Sequence, residues 1–193
     1  MLNPDTRGAL TRALLNVEAL HERHGWNRPP TLIGVFDRPL PSQPHDVYVD
    51  AGPFDPDVWY APALVRGDQS LAPGVILNSL ADLAGTAPGR ETLRSWLHRD
   101  GRRCIGLALV FEAWAPAVRP GYRHGDLAKA PSPARIETRV VAAVDLDGQL
   151  HRITRVRGTR HAAVDQPSPP PASRAGSRIT AGLDRLMDLT RTL

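Results

Sequence analysis

Cysteine and lysine occur once each in this 193-residue chain, as Cys104 and Lys129. A single cysteine excludes an internal disulfide. Its place inside an apolar run marks it as a small buried hydrophobe, not a nucleophile. No stretch reaches the roughly 18 consecutive apolar residues of a membrane-spanning helix. The opening Met-Leu-Asn-Pro-Asp lacks the basic region and apolar segment of a secretory leader, so a cytoplasmic protein is expected. Catalytic signatures are missing as well. There is no Gly-x-Gly-x-x-Gly after a strand, no Gly-Lys-Ser/Thr phosphate cradle and no Gly-x-Ser-x-Gly elbow.

The near-absence of lysine qualifies the charge. Net charge is +4 and the isoelectric point is near 10, which invites a polyanion as partner. Yet 23 of the 24 basic residues are arginine, and 20 acids offset them. Arginine enrichment alongside alanine, glycine and proline is what GC-rich codons write. Aromatic residues make up 5% of the chain, with none between Tyr122 and Leu193. The arginine-rich C-terminal third therefore lacks stacking platforms of its own.

What is present centres on Cys104-Ile-Gly-Leu-Ala-Leu-Val-Phe-Glu-Ala-Trp114, in which only Glu112 is neither apolar nor glycine. An amphipathic helix would break such a run every third or fourth residue, and a half-exposed strand would alternate. The run reads as a strand covered on both faces. Residues 4–24 read as a helix, with Asn3 as cap, Pro4 in the first turn and an apolar stripe of Leu10, Ala13, Leu14, Val17 and Leu20. Gly25 ends it, and Trp26 is expected to pack over the helix end. A short strand follows at 31–36. The proline-rich segment 38–73 holds two candidate extended pieces, 47–50 and 58–65. Helices are expected at 73–84, with Val75, Ile76, Leu80 and Leu83 inward, and at 89–99, with Leu93, Trp96 and Leu97 inward.

Residues 115–134 show no periodicity and form a long loop. Residues 136–144 alternate, and Asp147-Gly148 signals a hairpin to a return strand at 149–157. With a two-residue turn, paired positions sum to 295, placing Val144 opposite His151 and Val140 opposite Arg155. Arg155 and Arg157 would mark where that face becomes wet. Residues 166–176 read as a Pro-rich linker and 177–193 as a last helix with Ile179, Leu183, Leu186 and Met187 inward. The organisation is α+β with a mainly antiparallel sheet, one domain over 1–165, then linker and helix.

Several residues are candidate contacts. Glu112 is the one charge in the central run, with Arg139 or Arg155 as partners. Together with Tyr122, His124 and Asp126 of the long loop it forms a candidate ligand or partner site. Arg152, Arg155, Arg157 and Arg160 are candidate phosphate contacts. His21 and His24 are three apart on the first helix and suit its negative end; no metal site and no cofactor is expected.

The Gly25-Trp26-x-x-Pro29-Pro30 turn leads into Leu-Ile-Gly-Val-Phe. With the Glu-Ala-Trp strand and the Arg-Ile-Glu-Thr-Arg-Val hairpin, it resembles uncharacterised proteins of actinobacteria and their phages. The resemblance implies a phage or mobile-element context and no activity.

These readings lead to a non-enzymatic accessory protein acting through protein binding or self-association, with the last helix docked in cis or offered to a partner. A nucleic-acid binder using the arginine-rich hairpin is the alternative. An enzyme or small-ligand binder at Glu112 and the 115–134 loop is the third reading.

Overall fold

The structure, a computed structural model, describes residues 1–37, 47–55, 72–116, 135–165 and 178–193. The expected extended piece at 58–65, the linker at 166–176 and the candidate contacts Tyr122, His124 and Asp126 lie outside these residues.

The chain begins with helix α1 (Pro4–His24). The Asn3 side chain accepts the Thr6 N–H at 2.7 Å and Pro4 opens the first turn. Strands β1 (Thr31–Asp37) and β2 (Val47–Ala51) follow, then helices α2 (Pro73–Gly85) and α3 (Ala87–Leu97). The long strand β3 spans Arg103–Pro116, so Ala115 and Pro116, expected in the loop, continue the strand. Strands β4 (Arg135–Asp145), β5 (Leu150–Val156) and β6 (Ala163–Asp165) come next, and helix α4 (Arg178–Arg191) is last. The six strands pair antiparallel in the order β2-β1-β3-β4-β5-β6. The fold is α+β, and the expected central strand is central and covered on both sides. Among the described residues no helix is long and apolar enough to cross a membrane.

Two cores flank the sheet. One lies under α2, α3 and α4 and includes Leu107, Leu109, Phe111, Val140, Ala142 and Val144 of the sheet. The other lies under α1 and includes Ile105, Ala108, Val110, Val141, Ala143 and Ile153. Each fully buried aliphatic or aromatic side chain is worth roughly 1.5–3 kcal/mol. A bulge accounts for Ile105 and Leu107 facing opposite sides although they are two apart: Val35 pairs with Gly106 and Phe36 with Cys104, skipping Ile105.

The last helix docks in cis. Leu183, Leu186 and Met187 are buried. A Cβ on Gly182 would sit 2.6 Å from the Leu77 Cβ, so only glycine lets α4 rest this closely on α2. α3 starts two residues before its expected position because Thr86 caps it, accepting the Gly89 N–H at 3.2 Å. On α2, Leu77 is buried while Val75 and Leu83 stay partly open.

Two other expectations are corrected. Leu20 of the α1 stripe is 43% exposed, whereas Glu18 is 1% exposed. A stripe through Leu10, Leu14 and Val17 advances to positions 18 and 21, so 20 rotates outward. The β4–β5 hairpin also has a three-residue loop, Leu146-Asp147-Gly148. The Asp145 N–H donates to the Gln149 carbonyl at 3.1 Å and the Gly148 N–H to the Asp145 carbonyl at 2.9 Å. Gly148 takes a positive φ of 73°, the left-handed position of such loops. The buried Asp145 carboxylate fixes the longer loop by accepting the N–H groups of Asp147 and Gln149, each at 2.9 Å.

Paired positions therefore sum to 294: Ala143 faces His151, Val141 faces Ile153 and Arg139 faces Arg155. A one-residue change of register moves a strand's whole side-chain set to the other face. His151, Ile153 and Arg155 consequently share the α1 side with Val141 and Ala143, not the side of Val140 and Val144.

Candidate functional site

The α1 side of the sheet changes character in rows that cross β3, β4 and β5. Ala108–Ala143–His151 and Val110–Val141–Ile153 are buried. The next row is Glu112–Arg139–Arg155, and the one after is Trp114–Glu137, with Arg157 alongside through its N–H to the Glu137 carbonyl at 2.9 Å. Buried, then charged, then open: period-two alternation in three strands held in this register brings these residues to one face in that order.

The charged row lies under the last two turns of α1. Arg155 grips Glu18 with two bonds, Nε to Oε1 at 2.7 Å and an Nη to Oε2 at 2.6 Å. Its third nitrogen donates to the carbonyls of Thr159 and Arg160 at 3.1 and 2.8 Å. Arg139, fully buried, donates to Glu22 at 2.9 Å, to the Gly25 carbonyl at 2.6 Å and to Glu112 at 3.2 Å. The other Glu112 oxygen accepts the backbone N–H of Asn27 at 2.7 Å. Asn27 has φ 64°, a left-handed conformation that asparagine tolerates better than most residues. Glu112 is thus held on both oxygens, as a structural carboxylate is, and Arg139 is the expected partner that reaches it. Hydrogen bonding to Glu18 raises the Arg155 pKa above its ordinary value, with burial opposing.

His21 lies half-buried beside this row. Burial pushes its pKa below the ordinary 6.5, helped by the Arg139 charge and then His24, while Glu112 and Glu18 act the other way.

At the open row, Trp26 from the α1–β1 turn lies over the sheet. The Arg139 guanidinium sits 4.3 Å from its ring centre and that of Arg157 5.5 Å. Arg157 also bonds Glu137 at 2.5 Å. Trp114 is 64% exposed, although the strand behind it is sealed. Arg135 is exposed two residues before Glu137, on the same face. Arg28 is exposed and donates to the His24 carbonyl at 2.8 Å.

The four arginines read as phosphate contacts are therefore separated. Arg155 is buried and committed to Glu18, which corrects its placement at a wet margin. Arg152 is exposed on the opposite face, 3.8 Å from Asp165. Arg157 and Arg160 remain exposed. Sequence reasoning missed Trp114 as a surface residue and Trp26 as the neighbour of Arg157. The available signal was Glu112, two residues before Trp114 and on the same face, marking where the strand leaves the dry core.

Other polar clusters are architectural. Buried His151 meets Asp145 at 3.0 Å, and Asp147 ties the hairpin to the helix start through the Leu2 N–H at 2.8 Å and Arg7 at 2.9 Å. Burial works to raise the Asp147 pKa, but the Leu2 N–H, the terminal amine and Arg7 together hold it below 3.8. Arg102 and the Trp96 indole N–H both donate to Asp50, at 2.7 and 3.1 Å, fastening β2 to α3. The Cys104 sulfur lies 3.4 Å from the Gly106 carbonyl, and burial pushes its pKa up to about 11. An open cleft of about 550 Å³ runs between α2 and α4, and two of its charges meet, Arg185 on Asp82 at 2.7 Å. Among the described residues no three His, Cys, Asp or Glu side chains gather to hold a metal. No family model, curated protein or solved structure matches the chain.

Proposed function

We propose that this is a non-enzymatic accessory protein of the cytoplasm whose work is binding, through the open end of β3–β4–β5 beside the α1–β1 turn. The observation that carries the reading is Trp114, 64% exposed at the end of a strand whose residues 105–111 are buried. An indole left in water forgoes the burial that aromatic side chains usually find. Tryptophan and arginine are also the residues that most often dominate binding surfaces. Trp26 and Arg157 lie alongside on rigid supports, so the surface is preorganised. The last helix, docked in cis, gives no support to a detachable arm, and the expected partner contact moves to this end. The chemistry looked for at Glu112 loses its motive, because both carboxylate oxygens are engaged in holding the turn.

Replacing Trp114 with Ser tests the reading. Light scattering over a concentration series reports self-association, and retention on immobilised native and variant chains reports other partners. Association that Trp114→Ser abolishes supports the assignment. A chain that associates equally well with and without the indole removes it.

A further inference from the structure

The open end has a chemistry of its own, and it selects among partners. Its acids are already engaged: Glu22 and Glu112 by Arg139, and Glu137 by Arg157. Arg135 has no ion-pair partner among the described residues, and Arg28 meets only a backbone carbonyl. Among the described residues the exposed charge here that has no carboxylate partner, on Arg135 and Arg28, is positive. It borders two indoles, Trp114 open to solvent and Trp26 half-buried with guanidiniums against it. Trp114 and Arg157 are two strands apart, about 10 Å across the sheet. Resting on the reading that this end is the binding surface, we propose that its occupant is single-stranded nucleic acid, with bases stacking on Trp114 and Trp26 and phosphates held by Arg135, Arg157 and Arg28.

Two independent considerations favour this occupant. Unpaired bases present π-faces that stack on indoles without sequence preference, and guanidiniums grip phosphate oxygens in a bidentate fork. A duplex keeps its bases stacked on each other and offers the indoles nothing. The net charge of +4 also favours a polyanion. The lack of aromatics after Tyr122, which counts against nucleic acid along the sequence, is made good in space. Trp26 arrives from over a hundred residues upstream to lie over Arg157.

The test is a fluorescence titration of the full chain with oligothymidylate of about 12 nucleotides, within the span of one small binding module. The expected result is quenching of tryptophan emission and affinity that falls with salt. Contacts to three phosphates give a log–log slope of about −2. Trp114→Ser weakens binding about tenfold, in the range lost when a stacking aromatic is removed. Arg135→Ala flattens the salt slope by about one phosphate equivalent and leaves the quenching intact. Both substitutions are at exposed positions outside the cores, and a thermal melt confirms that each variant is folded. Duplex of the same length binding as tightly as the single strand overturns the proposal, as does single-strand affinity that Trp114→Ser leaves unchanged. No oligonucleotide binding, but self-association or capture of an acidic peptide that depends on Trp114, overturns this inference and leaves the binding surface standing. No interaction that depends on Trp114 removes both.

Discussion

The two faces of the sheet are sealed by different means. Under α2, α3 and α4 the seal over strands β3 and β4 is apolar, from Val144 through Leu107 and Leu109 to Phe111, with Leu183 and Met187 pressed down from above, while buried Arg102 on Asp50 sits toward the β2 edge. Under α1 it begins the same way with Leu10, Leu14 and Ile153, then turns ionic at Glu18, Arg139 and Arg155, and then ends at Trp114. The apolar face stabilises through area and volume, and those forces are indifferent to small shifts of one element along another. The ionic row is different. Desolvating its charges offsets much of their attraction, so it adds little net stability over an apolar replacement. What it does supply is position. Glu18, Glu22 and the Gly25 carbonyl meet Arg155 and Arg139 at bonding distance in one register and one rotation of α1. Through Gly25 and Asn27 the same row holds the turn that carries Trp26 beside the open end. The ionic half of the α1 face is best understood as the mount of the proposed binding surface.

The largest expected effect breaks that mount. Glu18→Ala leaves the Arg155 guanidinium buried without its carboxylate, and removing one member of such a pair costs about 3–5 kcal/mol. Denaturant unfolding checks it. A loss below about 1 kcal/mol would mean that water reaches the pair and that the two faces do not differ as described.

On the other face the response is to volume. Leu183 is fully buried where α4 meets α2 and the sheet. Leu183→Ala is expected to cost about 2–5 kcal/mol, the range for a leucine cavity in a close-packed core. The contrast is sharpened by salt: the Leu183→Ala loss is the same at low and high ionic strength. The Gly182→Ala change tests the same contact from the opposite direction, by overpacking against Leu77, at about 1–3 kcal/mol.

Acid separates the faces further. His21 has its pKa lowered in the folded chain, so the unfolded chain binds the proton more readily and stability falls as pH drops below about 6.5. His21→Asn should erase that slope. Asp147 is also lowered, and its stabilisation is full above its ordinary 3.8 and lost as pH falls through its lower folded value. Both groups sit on or beside α1. A pH titration of stability should therefore report detachment of α1, while the α4 contact, which buries no titrating pair, stays intact.

Much of this arrangement was legible along the chain. Residues 104–114 specify a doubly covered strand because an uninterrupted apolar run leaves no face for water, and the α1 and α4 helices announce themselves by caps and stripes. The errors have separate causes. The two-residue turn expected at Asp147-Gly148 was displaced by the Asp145 side chain, whose bonds to two backbone N–H groups favour the longer loop. That single extra residue decides that Arg155 points under α1. Leu20 is apolar but lies off the helical period of the buried stripe, and Glu18 lies on it although a carboxylate ordinarily stays in water. The exposed strand β6 was missed because three residues carry no periodic signal. Trp26 beside Arg157 lay beyond any local pattern, since 131 positions separate them (157 minus 26).

The smallest expected effect bears most directly on function. Trp114→Ser should change unfolding free energy by no more than about 0.5 kcal/mol, the usual range for an exposed side chain away from the core. This near-null is informative because tryptophan in a sealed position costs about 3–5 kcal/mol to truncate. A large loss would show that Trp114 closes the end of the α1 face as a structural plug, and the ionic row would then be ordinary interior lined by one more buried ring. A negligible loss leaves an indole held by a rigid strand, beside a second indole fixed by a fully bonded buried network, and contributing nothing to the stability of the chain that carries it. That outcome would separate the indole from the work of folding and leave the proposed binding surface as its role.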